Sequence, residues 1–299
     1  MSPLLTSLSA TPSRRRALQT LSALAAVGSP LGLMAAPGSP RLITVGGGIT
    51  EVVYALGAQD QLVGTDTTSL YPAAAQATPK VGYMRQLSAE GLLSLRPDAL
   101  IAGTDAGPPV VIDQLRSAGV RVELVVSDHS WDEVRRKIVA VGRASGREVA
   151  ARELQVRLDA RWQAVSARVQ AAKGPGPKVL FVLSHSGSPQ VSGEKTAADA
   201  LIRFVGARNA LGGFQGYRPM TAEAMAQAAP DVILTTTQGI AAIGGEAKFW
   251  QRPELALTPA FQRRAATRTL VHLDALELLG FGPRLPDVVE RLHNDMVRG

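Results

Sequence analysis

Two blocks of this sequence recur, in the same order, in its second half. LSAEGLLSLRPDALIAG at 87–103 is echoed by MTAEAMAQAAPDVILTT at 220–236, with Glu90 opposite Glu223 and Pro97-Asp98 opposite Pro230-Asp231. ITEVVYALGAQDQLVG at 49–64 is echoed by TAADALIRFVGARNALGG at 196–213, each carrying an apolar helical pattern into Gly-Ala and then Leu and Gly. An ordered double match of this kind implies two lobes of one design. Within each block a helical pattern meets a break and then a short apolar run, which reads as helix followed by strand. Strands alternating with helices imply parallel sheets covered by helices.

The expected fold class is therefore α/β: two Rossmann-like lobes with parallel central sheets, joined by a long backbone helix. Arg41–Val45 reads as a strand running into a turn at Gly46-Gly47-Gly48, with the next helix opening at Thr50-Glu51. Leu62–Thr65 and Ala99–Ala102 read as further strands, and Ser88 as the N-cap of a helix. From Ser130 to Lys173 there is no strand signal. Trp131–Ala144 reads as one helix, Gly146 as a break, and the stretch to Lys173 as a rod of about 25 residues, roughly 38 Å long at 1.5 Å per residue. Gly174-Pro175-Gly176-Pro177 stops it. The expected boundaries are 1–39 for an export signal and short linker, 40–129 for the first lobe, 130–177 for the helical linker and 178–299 for the second lobe. A stiff linker predicts that the lobes move little against each other.

The chain has 299 residues and a formal net charge of +7, a balance that invites nucleic acid or an anionic ligand as partner. Arg14, Arg15 and Arg16 supply three of those charges, in an acid-free stretch that continues into apolar and then small residues up to Ala36. That is the layout of an export signal. Ser13-Arg14-Arg15-x-x-Leu18 resembles the twin-arginine address, although a basic start serves Sec export as well, and cleavage is expected near 35–39. The remaining charges are interleaved by sign, as on solvated helix faces, and no phosphate loop, finger or basic-aromatic stripe points to nucleic acid. There is no cysteine, so disulfides, thiolate metal sites and a cysteine nucleophile are excluded.

In parallel α/β lobes, ligands bind beyond the strand C-termini. The loops there include Gly46–Gly48, Asp66-Thr67-Thr68-Ser69-Leu70-Tyr71-Pro72 and Thr104–Pro108 in the first half, and Ser184-His185-Ser186-Gly187 and Thr235–Gly239 in the second. With aromatics at only 4%, Tyr71 in a polar turn stands out. Taken alone, a tyrosine in a loop is more often a packed ring with its hydroxyl in water than a ligand.

GGGITEVVYALGAQDQLVGTDTTSLYP at 46–72, followed by VGYMRQLSAEGLLSLRPD at 81–98, resembles the periplasmic haemin-binding proteins of bacterial haem ABC importers. VSGEKTAADALI at 191–202 and LGFGPR at 279–284 extend the resemblance to the whole of the chain beyond the signal. These proteins belong to the helix-linked class of substrate-binding proteins that also serves cobalamin and ferric siderophores. The resemblance implies one cleft for ferric haem as the transported ligand, and it places the iron ligand on Tyr71. A phenolate is a hard anionic donor suited to ferric iron. A free phenol ionises only near pH 10, at about that value, so ligation calls for the iron's charge or a nearby cation.

The resemblance leaves His185 as either a second iron ligand or a pocket-lining residue. Arg85 and Arg218 stand as cationic contacts for the propionates, Tyr83 and Tyr217 as walls, and Lys195 as a further cation; Arg284 in LGFGPR could equally brace its turn. His129, His272 and His293 read as surface or structural. Glu90 and Glu223 have a local reading, a capping box with Ser88 or Thr221, and one implied by the resemblance: one carboxylate from each lobe docking on arginines of a membrane permease. The protein is then expected to be a non-enzymatic, monomeric periplasmic carrier of haem that hands it to a membrane permease. The alternatives are the same scaffold carrying cobalamin or a ferric siderophore, and an exported hydrolase, against which stands the absence of a G-x-S-x-G elbow or of an acid near Ser184-His185.

Overall fold

The computed structural model describes residues 38–184 and 189–297. The candidate export signal and His185 lie outside the described residues. Strand β1 (Leu42–Val45) leads directly into α1 (Gly47–Ala55), followed by β2 (Leu62–Thr65), α2 (Ala89–Ser94), β3 (Ala99–Gly103), α3 (Pro109–Ser117) and β4 (Arg121–Val125). These strands form an all-parallel sheet in the order β2-β1-β3-β4. Helix α1 starts earlier than the sequence reading has it, because Gly47 and Gly48 are its first residues and not part of a turn. A Cβ on Gly48 would lie 2.2 Å from the Gly280 carbonyl oxygen, and one on Gly47 2.6 Å from the Thr68 carbonyl, so these glycines serve close approach of backbone to backbone.

Helices α4 (Trp131–Ser145) and α5 (Glu148–Gln170) follow, broken at Gly146 in the left-handed conformation. At 23 residues α5 spans about 35 Å. The second half runs β5 (Lys178–Leu183), β6 (Gln190–Ser192), α6 (Ala197–Phe204), β7 (Arg208–Asn209), β8 (Tyr217–Pro219), α7 (Ala222–Ala228), β9 (Val232–Thr236) and α8 (Thr237–Ala242). Short helices α9 (Glu246–Trp250) and α10 (Pro259–Arg263), strand β10 (Leu270–Leu273), and helices α11 (Ala275–Leu279) and α12 (Leu285–Val297) complete it.

Parallel β7, β5, β9 and β10 repeat the arrangement of β2, β1, β3 and β4. The expectation of two parallel sheets needs one correction. β6 pairs antiparallel with the end of β5, and β8 antiparallel with β6, so the second sheet is mixed. Only residues 184–189 join β5 to β6, too few for the crossover that a parallel pairing needs.

One core cluster runs from α1 (Val52, Val53) through α4 (Ile138, Val141) and α5 (Leu154, Val165) to α6 (Leu201, Ile202) and α12 (Leu292). Scarce aromatics line this route: Trp131 stacks on Trp162 at 4.8 Å, Trp162 meets the edge of Phe204 at 5.0 Å, and Phe204 lies 6.2 Å from Phe281. Ion pairs fasten the outside of the strut. Asp159 of α5 accepts from Trp131 and Arg135 of α4, while Arg161 and Arg168 of α5 hold Glu290 of α12. Burying apolar surface continuously between the two sheets joins both halves to the strut.

Candidate functional site

The loop after β2 carries Tyr71, and a buried polar network fixes it. Asp66, fully buried, accepts hydrogen bonds through Oδ1 from the Gly46 amide and the Ser69 hydroxyl, and through Oδ2 from the Thr68 amide and hydroxyl. The Thr50 hydroxyl bridges Thr44 and Ser69, each at 2.7 Å, so β1, α1 and the loop share one chain of hydroxyls. Lys80 Nζ donates to Thr65 Oγ1 and to the Ser69 and Ala75 carbonyls. Burial draws the Lys80 ammonium below its usual range, with the Asp66 charge acting against that. A loop with every buried polar group satisfied holds one conformation, and it presents Tyr71 46% exposed beside a cis peptide to Pro72.

A cation sits on the ring. The Arg284 guanidinium carbon lies 3.8 Å from the Tyr71 ring centroid, a cation–π geometry. Arg284 comes from the turn between α11 and α12 and reaches across to the first lobe, donating to Glu51 through Nε at 2.9 Å and Nη2 at 2.7 Å, and to Glu277 through Nη1 at 3.1 Å. Burial opposes its charge, but the bonds and charge of Glu51, then the charges of Glu277 and Tyr71, outweigh it and hold Arg284 above the ordinary arginine range. Arg284 thus braces its own turn through Glu277 and also reaches the Tyr71 ring.

Arg85 is exposed and donates to the Tyr83 hydroxyl at 3.2 Å and to Asp105 at 3.3 Å. Tyr83 is 40% exposed, so this pair forms an open polar rim on the first lobe. On the second lobe, the β6–β8 ribbon carries Tyr217 and Arg218. Burial pushes the Tyr217 phenol up, against a hydrogen bond to Thr196 and the positive charge of Arg85. Arg218 is exposed and lies over the Phe214 ring at 4.3 Å. Lys195 is exposed at the tip of the loop before α6, with its backbone in the left-handed region and its amide bonded to Asp199.

His129 packs on Phe281 at 5.4 Å, His272 bonds to Thr237 and Glu246, and His293 is buried with Nδ1 2.8 Å from the Val205 carbonyl. His129 and His272 are partly exposed, and His293 is buried in the fold. Among the described residues, no group of three or more His, Asp or Glu is arranged to hold a free metal ion.

Glu90 and Glu223 occupy equivalent places at the starts of α2 and α7. Ser88 and Thr221 cap those helices by accepting from the amides of Gly91 and Ala224. The third helical position, which a capping box needs to be Glu or Gln, is therefore Gly91 in one lobe and Ala224 in the other, and no box forms. Both glutamates are exposed, and neither carboxylate has a hydrogen bond or ion pair among the described residues.

Sequence reasoning missed Glu51, Asp66, Lys80 and Asp105. The repeat itself held a signal for Glu51: aligned on Gly57-Ala58 and Gly206-Ala207, it stands opposite Ala200.

Two α/β lobes on a helical strut, with the exposed Tyr71 set against the Arg284 cation on a loop at a strand end, have the build of a helix-linked substrate-binding protein. The periplasmic binding protein family model matches residues 42–267, and the chain belongs to that family. The chain is similar in structure to the periplasmic heme-binding protein BhuT in complex with two hemes, at 48% identity and a TM-score of 0.80, covering 86% of this chain and 98% of that one. It is also similar to the periplasmic heme-binding protein RhuT from Roseiflexus sp. RS-1 in apo form, at 36% identity and a TM-score of 0.79, covering 86% and 97%. Among curated proteins, it is 30% identical over 190 residues to an uncharacterized ABC transporter substrate-binding lipoprotein, YvrC of Bacillus subtilis, covering 62% of this chain and 60% of YvrC. It is 32% identical to a vitamin B12-binding protein of Vibrio vulnificus, covering 35% of this chain and 38% of that protein.

Proposed function

We infer that this chain is a periplasmic substrate-binding protein that captures ferric haem between its lobes and delivers it to the permease of an ABC importer. The observation that carries the reading is Tyr71, an accessible phenol on a loop locked by Asp66, with the Arg284 cation against its ring. Likeness to haem-binding proteins over nearly their whole length supports the same ligand. Tyr71 is the iron ligand, and His185 the second-lobe group offered to the iron or the pocket. Tyr83 and Tyr217 form walls, and Arg85, Arg218 and Lys195 are the cations that meet the propionates. The chain acts as a monomer, by binding and without turnover. It leaves the cytoplasm on its N-terminal signal, by the twin-arginine address at Ser13–Leu18 or by the Sec route that a basic start also serves, and the signal is cleaved near 35–39.

Absorption and resonance-Raman titration with ferric haem tests this. The expected result is a high-spin tyrosinate spectrum in the wild type that is lost in Tyr71→Phe; a spectrum of free haem in the wild type refutes the reading. BhuT holds two hemes, so the titration is carried past one equivalent to count sites. The likeness to a vitamin B12-binding protein makes cobalamin the competing cargo, and displacement of haem by cobalamin would favour it.

Glu90 and Glu223 dock on basic residues of the permease. Their freedom from local bonds supports this. Glu90→Arg with Glu223→Arg is expected to keep haem binding and abolish stimulation of transport in reconstituted vesicles; undiminished transport removes the role.

A further inference from the structure

The repeated blocks set Glu51 of α1 opposite Ala200 of α6, and both are buried, at 5% and 4% exposure. Their neighbours Val52 and Leu201, Val53 and Ile202 match as core residues. Ala200 is what helical packing asks for at such a place; a carboxylate there is costly unless it is paired and hydrogen-bonded. Burial pushes the Glu51 carboxyl up, with the hydrogen bonds and charge of Arg284, then the charge of Lys137, opposing. Glu51 therefore needs the bidentate Arg284, and Arg284 is the residue stacked on Tyr71. The turn that carries Arg284 is fastened to the first lobe at further points. Lys137 Nζ, itself paired with Glu133 at 2.7 Å, donates to the Gly280 and Phe281 carbonyls, both at 3.0 Å. Gly282 lets the turn come close, since a Cβ there would lie 3.2 Å from Glu51 Oε2.

We propose that Glu51 is the positioning residue for the Tyr71 ligand: its buried carboxylate, on the first lobe, aims the second lobe's Arg284 at the Tyr71 ring and so sets how firmly a ferric ligand is held. This rests on the haem reading above. Glu51 touches neither iron nor ring; it acts by fixing the direction of a planar fork that has two carboxylate oxygens to match. Removing an outer partner of a metal-ligand group typically costs about ten- to a hundredfold in affinity, which sets the expected scale.

The test compares Glu51→Gln, Arg284→Gln and the double variant. In Glu51→Gln, haem dissociation is expected to speed up about tenfold or more, with a shifted tyrosinate charge-transfer band. In the Arg284→Gln background the same substitution is expected to add nothing. A wild-type off-rate and band in Glu51→Gln, or an undiminished effect in the double variant, overturns the proposal. A haem-free readout accompanies it: the Arg284 Nε–H resonance, protected from solvent exchange in the wild type, should exchange faster in Glu51→Gln, and unchanged protection also overturns it. Should Glu51→Gln not fold by thermal melt, Arg284→Lys keeps the charge without the fork, and a wild-type off-rate there overturns the proposal equally. Failure of the wild type to bind haem would instead refute the functional reading, and the exchange measurement would still judge the clamp.

Discussion

The two lobes share one plan, and one of the places where they part company is a register position in the first strand of each. Thr44 in β1 lies opposite Ile101 of β3, and Phe181 in β5 lies opposite Leu234 of β9, so the two are equivalent in their sheets. Both are fully buried. Phe181 fills the core, while Thr44 begins the hydroxyl chain through Thr50 and Ser69 to Asp66 that fixes the Tyr71 loop. The first lobe thus replaces apolar packing by a polar brace where the ligand loop departs, and the second keeps its packing and adds an antiparallel ribbon. The comparison teaches that the lobe carrying Tyr71 trades apolar packing for a polar brace beneath that loop, while the other keeps its packing and extends its sheet.

The largest effect should come from the tyrosines of the two lobes. Tyr71→Phe is expected to abolish the tyrosinate spectrum and to weaken haem binding by at least the roughly hundredfold that loss of an outer partner can reach. Tyr217→Phe should keep the spectrum, since burial pushes its phenol up and so disfavours the anion. Absorption titration of both variants decides; loss of the band in Tyr217→Phe would exchange the roles assigned to the lobes.

Next come the equivalent core positions. Phe181→Ala should cost about 3–5 kcal/mol, as large-to-small changes of a buried Phe do, while the tyrosinate band of the folded fraction stays in place. Thr44→Val should cost less, about 1–3 kcal/mol for the buried hydroxyl partner it strands, but broaden the band by loosening the Tyr71 loop. Denaturant melts beside haem spectra separate the two. A Thr44→Val band as sharp as that of the wild type would show that the hydroxyl chain is not what holds the loop.

A smaller effect concerns how the strut holds each lobe. Asp159, facing α4, is lowered below the usual carboxylate range: burial opposes this, and the bonds from Arg135 and Trp131 prevail. Glu290, on α12, is lowered by its bond to Arg161, against burial and with the charges of Arg161 and Arg168. For carboxylates depressed in the folded state, the unfolded chain binds more protons as the solution is acidified. Their stabilisation is present above the unfolded values of about 4 and is lost as pH falls through the folded ones. Stability measured from pH 6 down to 3 should therefore fall, and less steeply in Asp159→Asn and Glu290→Gln than in the wild type. Equal slopes would mean that these attachments do not govern acid lability.

The duplication, the strut and the ligand loop are legible in the sequence because each rests on local pattern: Pro-Asp after a helix, 3.6-residue periodicity, an aromatic in a polar turn. The ribbon is less so, since QVS and YRP are three-residue strands with no alternation to read. Glu51 and Arg284 lie 233 positions apart and meet where Gly48 lets the α11–α12 turn approach α1 closely, a contact no local pattern shows. Glu90 and Glu223 each stand one position short of where a capping box needs them, a difference that only the cap bonds of Ser88 and Thr221 reveal.

Those caps give the finest comparison between the lobes. Ser88 accepts from the Gly91 amide at 3.4 Å, near the limit of a hydrogen bond, and Thr221 from the Ala224 amide at 3.1 Å. Losing an N-cap costs about 0.5–2 kcal/mol. Thr221→Ala should fall near the middle of that range and Ser88→Ala at its lower end, both without effect on haem binding. Equal costs, read from denaturant midpoints at unchanged slope, would show that Ser88 caps as well as Thr221 does in solution. That would make the platforms carrying Glu90 and Glu223 equally firm, and a permease would then meet two alike carboxylates where the cap distances point to a looser one on the first lobe.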